Sequence, residues 1–159
     1  MKQPRGIRQW LYHSGSLTQA LRDQFGGIQV EKLQQQCSLL PFQDCIKMGL
    51  RSRQMGIGRE VFLQHQGLSL VYAKTFMPMT TLVGENRHMR YWDTKPLGHY
   101  LFTNPRVVRS CLSVNGEVVL SLPSGQGEAL ALQRESIFLL AGRPILIYEN
   151  YLRPMVEAV

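Results

Sequence analysis

The residue best placed to do chemistry in this sequence is Glu149, a carboxylate inside an otherwise apolar strand pattern. Side chains alternate between the two faces of a strand, so Glu149 shares a face with Ile145, Ile147 and Tyr151, residue types that a core recruits. Moving an ionised carboxylate out of water is unfavourable unless a cation or a polar ligand meets it. We therefore predict that Glu149 lies in a functional site.

Arg59 is the best candidate for the opposite charge, because it lies in a second strand pattern on the face of Val61 and Leu63. Two interpretations follow from these residues alone. Arg59 and Glu149 could form a buried structural ion pair, or they could stand at two ends of a ligand site. Perturbed charges cluster in functional sites, which favours the ligand. Such a pocket would hold a flat, mostly apolar ring with a carboxylate at one end and a hydrogen-bonding oxygen at the other.

Length and composition predict one domain over residues 1–159, with flexibility confined to the first five residues and at most to residues 1–12. The net charge of +7 suits an anionic partner such as a small acid. No run of consecutive Lys or Arg occurs, so we expect no nucleic acid. No secretion signal is visible, and no stretch approaches the roughly 18 apolar residues of a membrane helix. We expect a soluble, cytoplasmic monomer.

The sequence gives no support for a metal site or a cofactor. The four histidines lack ligand spacing, and three cysteines without a CxxC motif indicate reduced thiols. Ser124 does not lie in a GxSxG motif, so a serine hydrolase is not indicated. Gly56-Ile57-Gly58 is interpreted as a turn, since a dinucleotide fingerprint needs a strand before it and a helix after it. We expect neither a metal nor a cofactor.

The hydrophobic patterns predict an α+β domain. Ser16 and Gln19 form a capping-box pattern that begins an amphipathic helix, which Gly26-Gly27 ends. Strands are predicted at 28–31, 45–48, 59–64, 68–76, 117–122, 129–140 and 144–152, and a helical turn at 96–102. Residues 106–114 are ambiguous, and Asn115-Gly116 is predicted to be a turn. Hairpin connections imply one antiparallel sheet with a few helices over one face.

Two longer segments carry a family resemblance: Lys95–Thr103, which reads KPLGHYLFT, and Gly142–Pro154, which reads GRPILIYENYLRP. Together with Ser16–Thr18, Arg59-Glu60 and Pro78–Leu82, in the same order, they resemble the chorismate lyase (chorismate pyruvate-lyase) family of ubiquinone biosynthesis. The likeness covers the chain from about Ser16 to Pro154, and the Pro-Leu-Gly-x-Tyr-Leu-Phe stretch is its most specific element.

The resemblance implies a six-stranded antiparallel sheet, a ligand beneath helical flaps, and conversion of chorismate to 4-hydroxybenzoate and pyruvate without metal or cofactor. Chorismate and 4-hydroxybenzoate are therefore the expected partners. The family's carboxylate-binding arginine carries over to Arg59 and its site glutamate to Glu149, so both are the expected catalytic residues. Pocket-lining backbone groups carry over to Leu97 and Leu17. Leu17 stands where the family can have methionine, and His99 where it can have arginine.

A second class of function stays open. Ligand-sensing domains of some bacterial transcription regulators look like this fold, so the chain could be a non-catalytic effector-binding domain, or an inactive relative of the enzyme. Such regulators carry an N-terminal helix-turn-helix, whereas only fifteen residues precede the helix predicted from Ser16. This spacing favours the enzyme.

Overall fold

The structure, a computed structural model, describes residues 6–51, 53–93, 95, 97–123 and 125–159. Within these ranges the strands are β1 (Gln29–Leu39), β2 (Met55–His65), β3 (Leu68–Pro78), β4 (Val107–Ser121), β5 (Glu128–Leu140) and β6 (Arg143–Leu152). The α-helices are α1 (Ile7–Leu11), α2 (Leu17–Phe25), α3 (Phe42–Lys47), α4 (Leu97–Thr103) and α5 (Arg153–Ala158), and Gly84–Tyr91 forms a 3-10 helix.

The strands form one antiparallel sheet of six strands across the described residues, in the order β1-β2-β3-β6-β5-β4. The predicted α+β fold with a six-stranded antiparallel sheet is confirmed. The last strand, β6, lies in the middle of the sheet between β3 and β5. Most of its residues are buried on both faces, so Glu149 in β6 is surrounded by protein, whereas Arg143 at the start of the strand is exposed.

Helices α2 and α4 cover one face of the sheet. Leu17 and Leu21 of α2 pack with residues of β2, β3 and β6, and Leu97 and Leu101 of α4 pack in a neighbouring core cluster. A Cβ atom placed on Gly98 would stand 3.4 Å from Ser16 Oγ. The first turns of the two helices are therefore in contact above the sheet.

The predicted start of α2 is half confirmed. Ser16 Oγ accepts a hydrogen bond from the backbone N–H of Gln19 at 3.3 Å. The side chain of Gln19, however, donates to Asp23 at 2.9 Å and does not close the capping box. The Ser16 cap alone fixes the position of the first turn, which faces the sheet.

Three local predictions were wrong. Residues 45–48 belong to the end of α3 and not to a strand, since buried Cys45 and Met48 are three residues apart, a spacing that suits one helix face. Gly56 and Gly58 lie inside β2, where glycine permits close strand contact: a Cβ on Gly56 would stand 2.6 Å from Met77 O. Gly116 is no turn, because β4 continues through it at a bulge where Gly116 has φ 75°.

The N-terminal region contains an element that the sequence patterns did not predict. Helix α1 buries Trp10 and Leu11 in the core cluster that also holds Leu17 and Tyr151. The prediction for Met1–Arg5 lies outside the described residues, as do Pro96 and Ser124. None of the helices in the described ranges is long and apolar enough to cross a membrane. The extent of the domain stays a prediction.

Candidate active site

A cavity lies between the sheet and the first turns of α2 and α4, and all four predicted site residues, Arg59, Leu97, Leu17 and Glu149, line it. Most of the other lining side chains are apolar: Val30, Val61, Leu63, Ala73, Leu101, Phe102, Phe138 and Ile147. A mostly apolar wall with a few charged groups is typical of a small-molecule site.

Arg59 is a buried cation that has no carboxylate partner among the described residues. Its residue is 3% exposed, and Nη2 donates to the backbone carbonyls of Asp93 and Lys95, in the segment before α4. Its Nε has no hydrogen-bond partner among the described residues. Burial lowers the pKa of Arg59 to about 10, against a smaller opposing effect of the Asp93 charge. A buried cation of this kind is able to bind an anion that enters the cavity.

Glu149 forms its ion pair with Arg134 and not with Arg59. Nη2 of Arg134 donates to Oε2 of Glu149 at 3.0 Å, and the two residues lie directly opposite each other on β5 and β6. Glu149 is 8% exposed, and no donor among the described residues meets its Oε1. The alternative interpretation, a structural ion pair between Arg59 and Glu149, is therefore wrong, and both residues face the same cavity.

The register of the sheet sets the distance between Arg59 and Glu149. Arg59 pairs with Thr75, which pairs with Ile147, and Glu149 follows two residues later on the same face. Two strand spacings and two residues along a strand correspond to roughly 12 Å between the Cα atoms. The side chains thus approach the cavity from two sides, with room between them for a ring.

Leu17 and Leu97 line the cavity, and each is the first residue of its helix. Backbone N–H groups in the first turn of a helix lack an acceptor within the helix. At the cavity roof these groups are candidate donors to a polar ligand atom. Gly98 and Thr18 also line this roof.

Arg134 is a site residue that the sequence analysis missed. Its side chain is 1% exposed, and Nη1 donates to the carbonyls of Trp10, Leu11 and His13 at 3.2, 3.3 and 2.9 Å. Although burial opposes it, the neighbouring Glu149 raises the pKa of Arg134. The signal that could have identified Arg134 is the one that identified Glu149, namely a charge on the inward face of a strand. Arg134 therefore fixes both Glu149 and the end of α1.

In the described ranges, no three His, Cys, Asp or Glu side chains converge as metal ligands. The polar side chains that line the cavity are instead one carboxylate, two guanidinium groups and two hydroxyls. These groups can bind a carboxylate and a hydroxyl, and Glu149 can accept a proton.

Comparison with known proteins agrees with the motifs. A family model described as chorismate lyase matches residues 1–157. A protein of Methylococcus capsulatus named probable chorismate pyruvate-lyase is 31% identical over 159 residues, which cover 96% of this chain and 98% of the relative. The family resemblance predicted from the sequence is confirmed.

The solved structures of two other proteins have a fold similar to that of this chain. PhnF from Mycobacterium smegmatis matches with a TM-score of 0.67 and 11% identity, over 91% of this chain and 67% of that chain. A transcriptional regulator of the GntR family from Bacillus cereus matches with a TM-score of 0.56 and 11% identity, over 80% of this chain and 92% of that chain. At this identity the likeness shows the fold alone.

Proposed function

Because this chain belongs to the chorismate lyase family, we propose that it is a chorismate pyruvate-lyase, which converts chorismate to 4-hydroxybenzoate and pyruvate as the first step of ubiquinone biosynthesis. We further propose that it acts as a cytoplasmic monomer. The observation that carries the proposal is the buried Arg59, which has no carboxylate partner among the described residues and faces Glu149 across an apolar cavity.

Substrate binding follows from the two charged ends of the cavity. Chorismate is a cyclohexadiene with a ring carboxylate para to a hydroxyl, and the enolpyruvyl ether is ortho to that hydroxyl. Arg59 binds the ring carboxylate, where a guanidinium fork fits. Glu149 Oε1 accepts a hydrogen bond from the hydroxyl, since Arg134 already donates to Oε2. The apolar lining packs on the ring, and the helix-start N–H groups at Leu17 and Leu97 supply further donors.

The reaction is an elimination. The C–H bond at the hydroxyl-bearing carbon breaks, its electron pair completes the aromatic ring, and the C–O bond to the enolpyruvyl group breaks. The proton ends on the methylene carbon of the leaving group, which gives pyruvate. Aromatisation supplies the driving force, so the protein mainly positions the substrate and stabilises charge. Glu149 orients the hydroxyl and is the candidate base for this proton.

Turnover of chorismate tests the proposal. Purified protein is mixed with chorismate, and 4-hydroxybenzoate is followed by chromatography while pyruvate is followed with lactate dehydrogenase. We expect the two products in equal amounts, with both rates strongly reduced in Arg59→Met. A folded protein that forms neither product would reject the proposal.

A second function is favoured by the fold of the GntR-family regulator, which is similar to this one. In that case the cavity would bind an effector without chemistry. Mass spectrometry of chorismate after incubation separates the two functions: an effector domain binds chorismate or 4-hydroxybenzoate and returns it unchanged, whereas the lyase consumes chorismate.

A further inference from the structure

Arg134 and Arg109 converge on the turn between α1 and α2. Nη1 of Arg134 donates to His13 O at 2.9 Å, and Nη1 of Arg109 donates to the next carbonyl, Ser14 O, at 3.1 Å. Consecutive carbonyl groups are only a few ångströms apart, so the two guanidinium groups are neighbours. Arg134 lines the Glu149 end of the cavity, and Arg109 lies next to Arg134.

Arg109 is held against the cavity wall by two aromatic rings. Its guanidinium carbon lies 4.9 Å from the centroid of the Phe138 ring and 5.2 Å from that of Phe102. Both rings line the cavity. A cation–π contact holds a guanidinium group without neutralising it, so the charge of Arg109 remains available.

Buried polar atoms without a partner gather at the same end. Five such side-chain atoms occur among the described residues: Gln35 Oε1, Arg59 Nε, Arg109 Nε, Arg134 Nε and Ser136 Oγ. Ser136 lies between Arg134 and Phe138 on the same face of β5, so three of the five belong to one group. Buried donors nearly always have an acceptor in a folded protein. Three together indicate an acceptor that a ligand supplies.

The charges at this end do not balance. Arg109 and Arg134 carry two positive charges, and in the described part of the chain Glu149 is the one carboxylate that forms a salt bridge with either. Burial, together with Arg134 and Arg109, lowers the pKa of His13, which keeps this neighbouring imidazole neutral at physiological pH. One negative charge is missing from the group, and the half-buried Arg109 is the cation that lacks a carboxylate partner among the described residues.

We infer that Arg134, Arg109 and Ser136 form a second carboxylate subsite, which binds the carboxylate of the enolpyruvyl group. This inference rests on the proposed function and extends it. When Arg59 binds the ring carboxylate and Glu149 binds the hydroxyl, the neighbouring ether places the enolpyruvyl group beside Glu149. Arg134 lies there, with its Nη2 3.0 Å from Oε2 of Glu149. The subsite thus selects a dicarboxylate and positions the leaving group.

Two stable ligands test the subsite without turnover. The ether of 3-(carboxymethoxy)-4-hydroxybenzoate carries a carboxylate at the position of the enolpyruvyl carboxylate, and 3-ethoxy-4-hydroxybenzoate is its uncharged counterpart. Calorimetry measures both affinities in the wild type, Arg109→Met, Ser136→Ala and Arg106→Met. Arg106 is the control, because its guanidinium forms an exposed surface ion pair with Glu85. All variants are first checked for cooperative unfolding, and Arg109→Lys replaces Arg109→Met if the latter does not fold.

We expect the wild type and Arg106→Met to prefer the carboxymethoxy ligand by about 10- to 100-fold, the effect of a hydrogen bond to a charged group. Arg109→Met reduces this preference at least about fivefold and Ser136→Ala less, while the affinity for 3-ethoxy-4-hydroxybenzoate changes little. No preference in the wild type, or an unchanged preference in both Arg109→Met and Ser136→Ala, overturns the inference. If wild-type protein turns over chorismate, such a result leaves the proposed function standing. Absence of turnover rejects that function separately.

Discussion

Arg134 and Glu149 lie opposite each other on the neighbouring strands β5 and β6, and Nη2 of Arg134 donates to Oε2 of Glu149 at 3.0 Å. This pair leaves Arg59, on the other side of the same cavity, without a carboxylate partner among the described residues. The two arginines therefore have different roles. Arg134 stabilises the glutamate, and Arg59 is available for a ligand.

Arg59→Met removes a buried cation from the cavity and leaves a side chain of similar length. We expect kcat/KM for chorismate to fall by about two to three decades, since a buried charge partner of the substrate is lost. The free energy of unfolding should not decrease, because an unpaired buried charge is unfavourable in the unliganded protein. Steady-state kinetics and urea unfolding check both parts.

The exposed Arg87 provides the control for Arg59, since Arg87→Met makes the same charge change outside the cavity. Normal kcat/KM in a folded Arg59→Met protein, equal to that of Arg87→Met, would remove Arg59 from the substrate site.

Glu149→Gln keeps size and hydrogen bonding but removes charge and basicity. We expect kcat to fall by about two to four decades if Glu149 serves the hydroxyl-bearing carbon in the transition state. The free energy of unfolding should fall by only about 1–3 kcal/mol, because the amide oxygen still accepts from Arg134. Normal kcat with a lower melting temperature would leave Glu149 as a structural residue.

Arg134→Met tests the ion pair itself. It leaves Glu149 buried without its cation and removes the donor to Trp10, Leu11 and His13, so unfolding should become easier by about 3–5 kcal/mol. Combined with Glu149→Gln, the loss should be smaller than the sum by about 0.5–3 kcal/mol. A double-mutant cycle by urea unfolding measures this coupling, and strict additivity would show that the pair contributes nothing.

His13 should make stability depend on pH. Burial, then Arg134 and Arg109, lowers the pKa of His13 below its ordinary value of 6.5. The unfolded chain therefore binds the proton more tightly than the folded protein. The contribution of neutral His13 to the free energy of unfolding is complete above pH 6.5 and decreases as the pH falls below that value. Melting temperatures measured from about pH 8 to about pH 5 should fall less steeply for His13→Gln than for the wild type.

The exposed His99 supplies the control for removal of a histidine. If the wild type, His13→Gln and His99→Gln have the same pH profile of melting temperature, His13 is not coupled to folding in this way.

Chelation should leave turnover unchanged. The elimination needs no Lewis acid because aromatisation drives it, and no three ligand side chains converge among the described residues. Dialysis against a strong chelator, followed by the chorismate assay, measures this. Activity that disappears and returns only with a divalent ion would contradict the mechanism.

Local patterns predicted β2, β3, β5 and β6 because alternation of apolar residues is a short-range signal, and they identified Arg59 and Glu149 as charges on inward faces. They did not predict Arg134 as the partner of Glu149. That pairing depends on the register of β5 against β6, which the whole sheet sets. Likewise, Gly56 resembles a turn residue locally, but its close approach to Met77 on β3 makes it part of β2.

A crystal structure with bound 4-hydroxybenzoate shows whether a ring lies between Arg59 and Glu149. We predict that the carboxylate lies within hydrogen-bond distance of the Arg59 guanidinium group and the hydroxyl within hydrogen-bond distance of Glu149 Oε1, with the ring against the apolar lining. A product molecule with the opposite orientation, or bound outside this cavity, would contradict the proposed roles of Arg59 and Glu149.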